Sequence, residues 1–117
     1  LIVEDNDVER EGLSAVLRQS GFGTWEAENG AQAIDCLRAH KPDVIILDML
    51  LSRGDDDGWN VLAQVKNHDE WASIPVIIVT GLGVASPEWA RSLGAHAVVR
   101  KPVNTQELIA AIQAIAN

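Results

Sequence analysis

A chain of 117 residues with one cysteine forms a single domain, residues 1–117, able to bury roughly two thirds of its unfolded surface without disulfides or a structural metal. Nine basic residues against seventeen acidic ones leave a net charge of −8, which repels phosphate backbones and argues against direct nucleic-acid contact. No apolar run approaches a membrane span, and the lone Cys36 suits a small buried residue in a reducing, cytoplasmic setting.

The sequence opens at Leu1, inside the apolar run Leu1-Ile-Val and without a methionine, as expected of a piece cut from a longer chain or trimmed at its N-terminus. A helical segment follows, with Leu13, Val16 and Leu17 on one face and Gly21 ending it. Thr24-Trp25-Glu26-Ala27 predicts a weaker second strand, and Asn29-Gly30 turns into a helix carrying Ala33, Ile34 and Leu37. Val44 to Asp48 predicts a third strand, after which a loop rich in Gly and Asp leads to a helix with Val61, Leu62 and Val65. Pro75 to Thr80 predicts the fourth strand, with proline tolerated at its start. Ser86-Pro87-Glu88 places a cap residue before a first-turn proline, the mark of a helix start. Ala95 to Arg100 predicts the fifth strand. Asn104-Thr-Gln-Glu107 is close to a capping box for a last helix whose buried face is Leu108, Ile109, Ile112 and Ile115.

Five strand–helix repeats with short connections predict an α/β fold, a parallel sheet covered by helices on both faces. All strands then end at one edge, and ligands bind beyond those carboxyl ends. The first strand ends in Glu4-Asp5, the third in Asp48, the fourth in Thr80 and the fifth in Lys101-Pro102. Each has an ordinary explanation: a strand end beside a cap at Asn6 or Asp7, a loop-closing acid, a β-forming threonine, a solvated lysine. Their co-location on four separate strand ends outweighs those explanations. Asp48 is the most pointed, because it interrupts the apolar stretch "PDVIILDMLL" where an unpaired carboxylate is costly to bury.

Electrostatics then names what such a rim lacks. Two like unit charges about 4 Å apart repel by about 1 kcal/mol in water and about 4 kcal/mol at an effective dielectric of roughly 20. Three carboxylates need more than one lysine to offset them, and a hard divalent cation such as Mg²⁺ supplies that charge. Mg²⁺ suits phosphoryl chemistry, in which an Asp at a loop mouth serves as nucleophile and forms an acyl phosphate. A nearby hydroxyl and ammonium bind the remaining phosphoryl oxygens.

"VEDN" after an apolar strand, then "VIILDM", "VIIVTG" and "VVRKP" in that order, resemble the receiver domain of two-component response regulators over essentially the whole chain. The resemblance implies a flavodoxin-like, three-layer doubly wound sheet with strand order 2-1-3-4-5. It implies that Asp48 accepts a phosphoryl group from a histidine kinase or a histidine phosphotransfer protein. Asp5 would ligate Mg²⁺ (or Mn²⁺ in its place) directly and Glu4 mostly through water, with Asp48 and the backbone carbonyl of Leu50 completing the protein ligands. Thr80 would hydrogen-bond the phosphoryl group, Lys101 would pair with it, and Lys101-Pro102 would be a cis peptide. The face formed by the fourth and fifth strands and helices would pass the signal to an effector. The chain would promote its own phosphorylation and dephosphorylation rather than turn over a separate substrate.

Three features depart from that pattern. Val98 stands three residues before Lys101, where the family usually has an aromatic that reports phosphorylation. Ser52 replaces a common proline, and Gly58 lies ten residues after Asp48 rather than eight, so "SRGDDDG" is two residues longer. Leu50 and Leu82 follow Asp48 and Thr80 by two residues and offer no polar group to position water, which predicts slow self-dephosphorylation. An EF-hand in "RGDDDGWNVLAQ" is rejected, since Arg53 and Gln64 occupy its first and twelfth positions. "GLGVAS" lacks the third glycine of a dinucleotide fingerprint, and His40, His68 and His96 are scattered. Trp59, just past the acidic loop, is a candidate reporter of the site. The competing functions are a pseudo-receiver that keeps the fold without phosphorylation, and a Mg²⁺-dependent hydrolase. The hydrolase needs a second acid where Leu50 stands.

Overall fold

The computed structural model describes residues 1–49, 58–83 and 85–116. Five strands alternate with five helices: β1 (Ile2–Val3), α1 (Asp7–Gln19), β2 (Glu26–Ala27), α2 (Gly30–Ala39), β3 (Ile45–Asp48), α3 (Gly58–Asn67), β4 (Val76–Thr80), α4 (Pro87–Ser92), β5 (Ala97–Arg100) and α5 (Thr105–Ala116). All pairings are parallel and the order is β2-β1-β3-β4-β5, as expected.

The apolar runs of β1, β3 and β4 explain this sheet. A strand turns alternate side chains to opposite faces, so an unbroken apolar run requires cover on both. Leu1, Val3, Ile45, Leu47, Val76 and Ile78 pack in one core with Ile34 and Leu37 of α2, Val61 and Val65 of α3, and Ala90 of α4. Ile2, Ile46, Ile77, Val79 and Val99 pack in a second core with Leu13 and Leu17 of α1 and Leu108 and Ile112 of α5. The molecule therefore has three layers.

Helix starts follow the local chemistry read from the sequence. Asn6, Asn29, Ser86 and Asn104 each accept the backbone N–H three residues on, at 2.9, 2.8, 3.1 and 3.1 Å, satisfying a donor with no partner inside the helix. α1 stops where Gly21 adopts a φ of 97°, which lets the Phe22 N–H reach back 3.0 Å to the Leu17 carbonyl.

Each strand begins one or two residues later than expected, and one helix face differs. β2 keeps only Glu26 and Ala27; Trp25 lies outside it, 41% exposed and stacked on His40 with ring centroids 4.4 Å apart. β5 begins at Ala97, because the Ala95 N–H is taken by the Ala90 carbonyl at 3.0 Å in the turn closing α4. Ser14, not Val16, completes the buried face of α1, its hydroxyl sharing a 2.7 Å hydrogen bond with that of Thr24. No helix among the described residues is long and apolar enough to cross a membrane.

Candidate functional site

The strand order reverses between β1 and β3, and the polar residues gather at the carboxyl ends of that pair. Ile2 pairs with Ile46 and Val3 with Leu47, so Glu4 and Asp48 leave the sheet side by side. Both continue the parity of Ile2 and Ile46 and project on the α1–α5 face, and both are buried. With Asp5, their carboxylates offer oxygen atoms that all lie within 4.8 Å of one another.

Lys101, just beyond β5, answers this charge. Its Nζ donates to Glu4 Oε1 at 2.7 Å, Asp48 Oδ2 at 3.0 Å and Glu9 Oε2 at 3.0 Å. The Lys101-Pro102 peptide is cis, and the Lys101 N–H donates to the Thr80 carbonyl at 2.9 Å, which ties the ends of β4 and β5 together. The other Glu4 oxygen accepts the Asp5 N–H at 3.0 Å, and the Glu4 carbonyl accepts from Arg10 Nη1 at 3.0 Å. Arg10 also bridges Asp7 and Glu26, pinning the first turn of α1 to the end of β2.

Thr80 ends β4 one position beyond the residue paired with Asp48, and it is fully buried. Its Oγ1 accepts the Leu82 N–H at 3.2 Å. Behind Asp48, Gly58 opens α3 against the backbone. A Cβ there would run into the Asp48 carbonyl oxygen and the Met49 Cα, so only glycine fits without moving main chain. The Leu50 carbonyl and the longer acidic loop fall in residues 50–57, outside the described residues.

The charge imbalance shows in the proton affinities. Burial, reinforced by hydrogen bonds shared with Asp48 and Glu9, pushes the Glu4 carboxyl up to about 8. Glu9 is held below the usual carboxylate range by its hydrogen bonds with Glu4 and Lys101. Burial works against the Lys101 ammonium, but its bonds to Glu4, Asp48 and Glu9 prevail and raise its pKa. The pocket thus attracts further positive charge, and its all-oxygen donors match a hard divalent cation.

Expected site residues Glu4, Asp5, Asp48 and Lys101 come together, with Thr80 at the adjoining strand end. Glu9 is the member that strand ends alone do not reveal. It lies in the first turn of α1, and side chains of a helix lean toward its N-terminus, here toward the site. His40, His68 and His96 take no part in the metal-competent cluster found among the described residues. Trp59 packs edge-on against Trp89 of α4, ring centroids 5.6 Å apart, and is 40% exposed.

A doubly wound sheet whose middle strand ends in a buried aspartate, ringed by acids and faced by a lysine, defines a small α/β domain with a cation-competent pocket at its switch point. Residues 1–113 match the response regulator receiver domain, and the chain belongs to that family, which works in two-component signalling. It is 33% identical over 114 residues to the polar-differentiation response regulator DivK of Brucella anthropi, covering 97% of this chain and 91% of that protein. It is 33% identical over 116 residues to protein PilH of Pseudomonas aeruginosa, covering 98% and 94%. Among solved structures, the signal receiver domain of a signal transduction histidine kinase from Syntrophus aciditrophicus superposes with a TM-score of 0.84 at 31% identity, covering 97% of this chain and 86% of that one. The chemotaxis response regulator CheY4 of Vibrio cholerae shares the fold, with a TM-score of 0.84 at 24% identity over 97% and 94% of the two chains.

Proposed function

We propose that this domain is a phosphoacceptor switch in which Asp48 takes a phosphoryl group from a phosphohistidine donor, a histidine kinase or a histidine phosphotransfer protein. The observation that carries the reading is the 3.0 Å contact of a buried Asp48 with Lys101, beside two further acids, at the one place in the sheet where strand order reverses. The Asp48 carboxylate oxygen attacks phosphorus, the N–P bond breaks, and the electron pair leaves with the imidazole. Glu4, Asp5 and Asp48 would hold Mg²⁺, which when bound neutralises charge on the phosphoryl oxygens. Lys101 pairs with one of those oxygens, and the Thr80 hydroxyl turns from the Leu82 N–H to donate to another.

The chain promotes its own phosphorylation and loss of phosphate and turns over no separate substrate. Movement of Thr80 is passed to the β4–α4–β5–α5 face and from there to an effector. Val98 is half-buried against the core on the α4 side, so the message travels through the backbone of the β4–α4 connection rather than through an aromatic ring at that position. A domain acting through a kinase and an effector protein, and carrying an acidic surface, fits a cytoplasmic setting.

Incubation with Mg²⁺ and acetyl phosphate tests this reading. Intact-mass spectrometry is expected to show one added phosphoryl group on the protein and none on Asp48→Ala. No addition to the native chain would identify a pseudo-receiver instead. With leucines rather than polar residues two positions after Thr80 and after Asp48, the phosphoryl group is expected to be long-lived. Loss of the added mass as fast as the donor can be removed would refute that part.

A further inference from the structure

A lysine ammonium has three N–H donors, and all three on Lys101 are committed to carboxylates. The three partners are unequal. The side chains of Glu4 and Asp48 are 4% and 5% exposed, whereas that of Glu9 is 50% exposed. Releasing Glu4 or Asp48 from Lys101 withdraws a charged donor from a buried acid, which is costly. Releasing Glu9 returns its carboxylate to water. The backbone of Glu9 is fixed meanwhile, its N–H donating to the Asn6 cap at 2.9 Å, so only the side chain has to move.

We propose that Glu9 is a positioning residue that occupies, on Lys101, the donor which a phosphoryl oxygen on Asp48 takes over. The proposal rests on the reading of Asp48 as phosphoacceptor. An incoming phosphoryl group carries roughly two negative charges. It displaces the weaker, solvent-facing carboxylate, and Glu9 swings outward. Until then Glu9 keeps Lys101 pointed at the pocket and raises the threshold for its occupation, both by holding the ammonium and by its own negative charge. Glu9 is thus an internal competitor, and it sets how much donor is needed to switch the domain.

The sign of the effect separates this role from an ordinary stabilising contact. Titration of the full chain with beryllofluoride, a phosphoryl analogue, at saturating Mg²⁺ reads it directly through the ¹⁹F NMR signal of the bound ion. A half-exposed ion pair supports a change of about two- to fivefold, so Glu9→Gln is expected to bind the analogue tighter by that factor. Glu11→Gln is the control: it removes the same charge from an exposed position on the same helix and makes none of the Lys101 contacts. Its affinity is expected to match that of the native chain. Equal or weaker binding by Glu9→Gln overturns the proposal, and so does an equal gain in Glu11→Gln. If the native chain binds no beryllofluoride at all, the phosphoacceptor reading fails and this inference falls with it.

Discussion

On the α2–α3–α4 face of the sheet, Leu47 of β3 is followed at the same parity by Met49, and both are fully buried in the larger core. On the α1–α5 face, Ile46 is followed by Asp48, and in the neighbouring strand Ile2 is followed by Glu4. The same two strands therefore finish in packing on one side and in charge on the other. Alternation in a strand makes this division available at no cost to the backbone. One face anchors the strand ends in packing while the other gathers acids around a lysine, so the cation-competent pocket sits where the opposite face can restrain it.

The comparison can be broken most directly from the packed side. Leu47→Ala empties a fully buried position and is expected to lower unfolding free energy by about 2–5 kcal/mol in urea titrations. A loss well under 1 kcal/mol would mean that this face relaxes and does not act as the restraint.

The charged side responds to pH. Burial and the neighbouring acids raise the Glu4 carboxyl to about 8, against an ordinary value of 4.5. Stability from this group is full below pH 4.5 and is lost as pH rises through about 8, because the unfolded chain releases the proton first. Under the proposed function, cation binding competes with that proton, so Mg²⁺ affinity measured by calorimetry is expected to rise with pH up to about 8 and level off above it. A flat profile between pH 6 and pH 8 would show that Glu4 is already ionised in the empty pocket.

The smallest effect has the opposite sign to the first. Asp48→Asn keeps the size of the side chain and removes one charge from the crowd, while Lys101 retains Glu4 and Glu9. It is expected to raise stability without metal by about 0.5–1 kcal/mol, the usual pattern where a site is built against the interest of the fold. Destabilisation by the same substitution would mean that the Asp48–Lys101 contact outweighs the repulsion.

Most of the scaffold was legible because apolar runs and caps are local signals. The unbroken runs of β3 and β4 demanded cover on both faces, and the turn at Asn29-Gly30 and the caps at Ser86 and Asn104 announced the helices they start. β2 was overextended because Thr24 and Trp25 have strand-forming side chains, whereas the Trp25 ring is used outward against His40. Four site residues, Glu4, Asp5, Asp48 and Lys101, stood at strand ends and could be read together. Glu9 could not, because an acid in the first turn of a helix is ordinary on grounds of the helix dipole alone. Only the distance to Lys101, which is remote in sequence, separates it from Asp7 in the same turn.

The close seat of Gly58 against the Asp48–Met49 backbone has a consequence for how this domain tolerates change. Residues 49 and 58 flank the acidic stretch and already touch, so that stretch leaves and rejoins the framework at a single point. The entropy of closing such a loop grows only with the logarithm of its length. Extra residues between them need not pull on either end, and β3 is free to keep its place while the intervening sequence is rewritten.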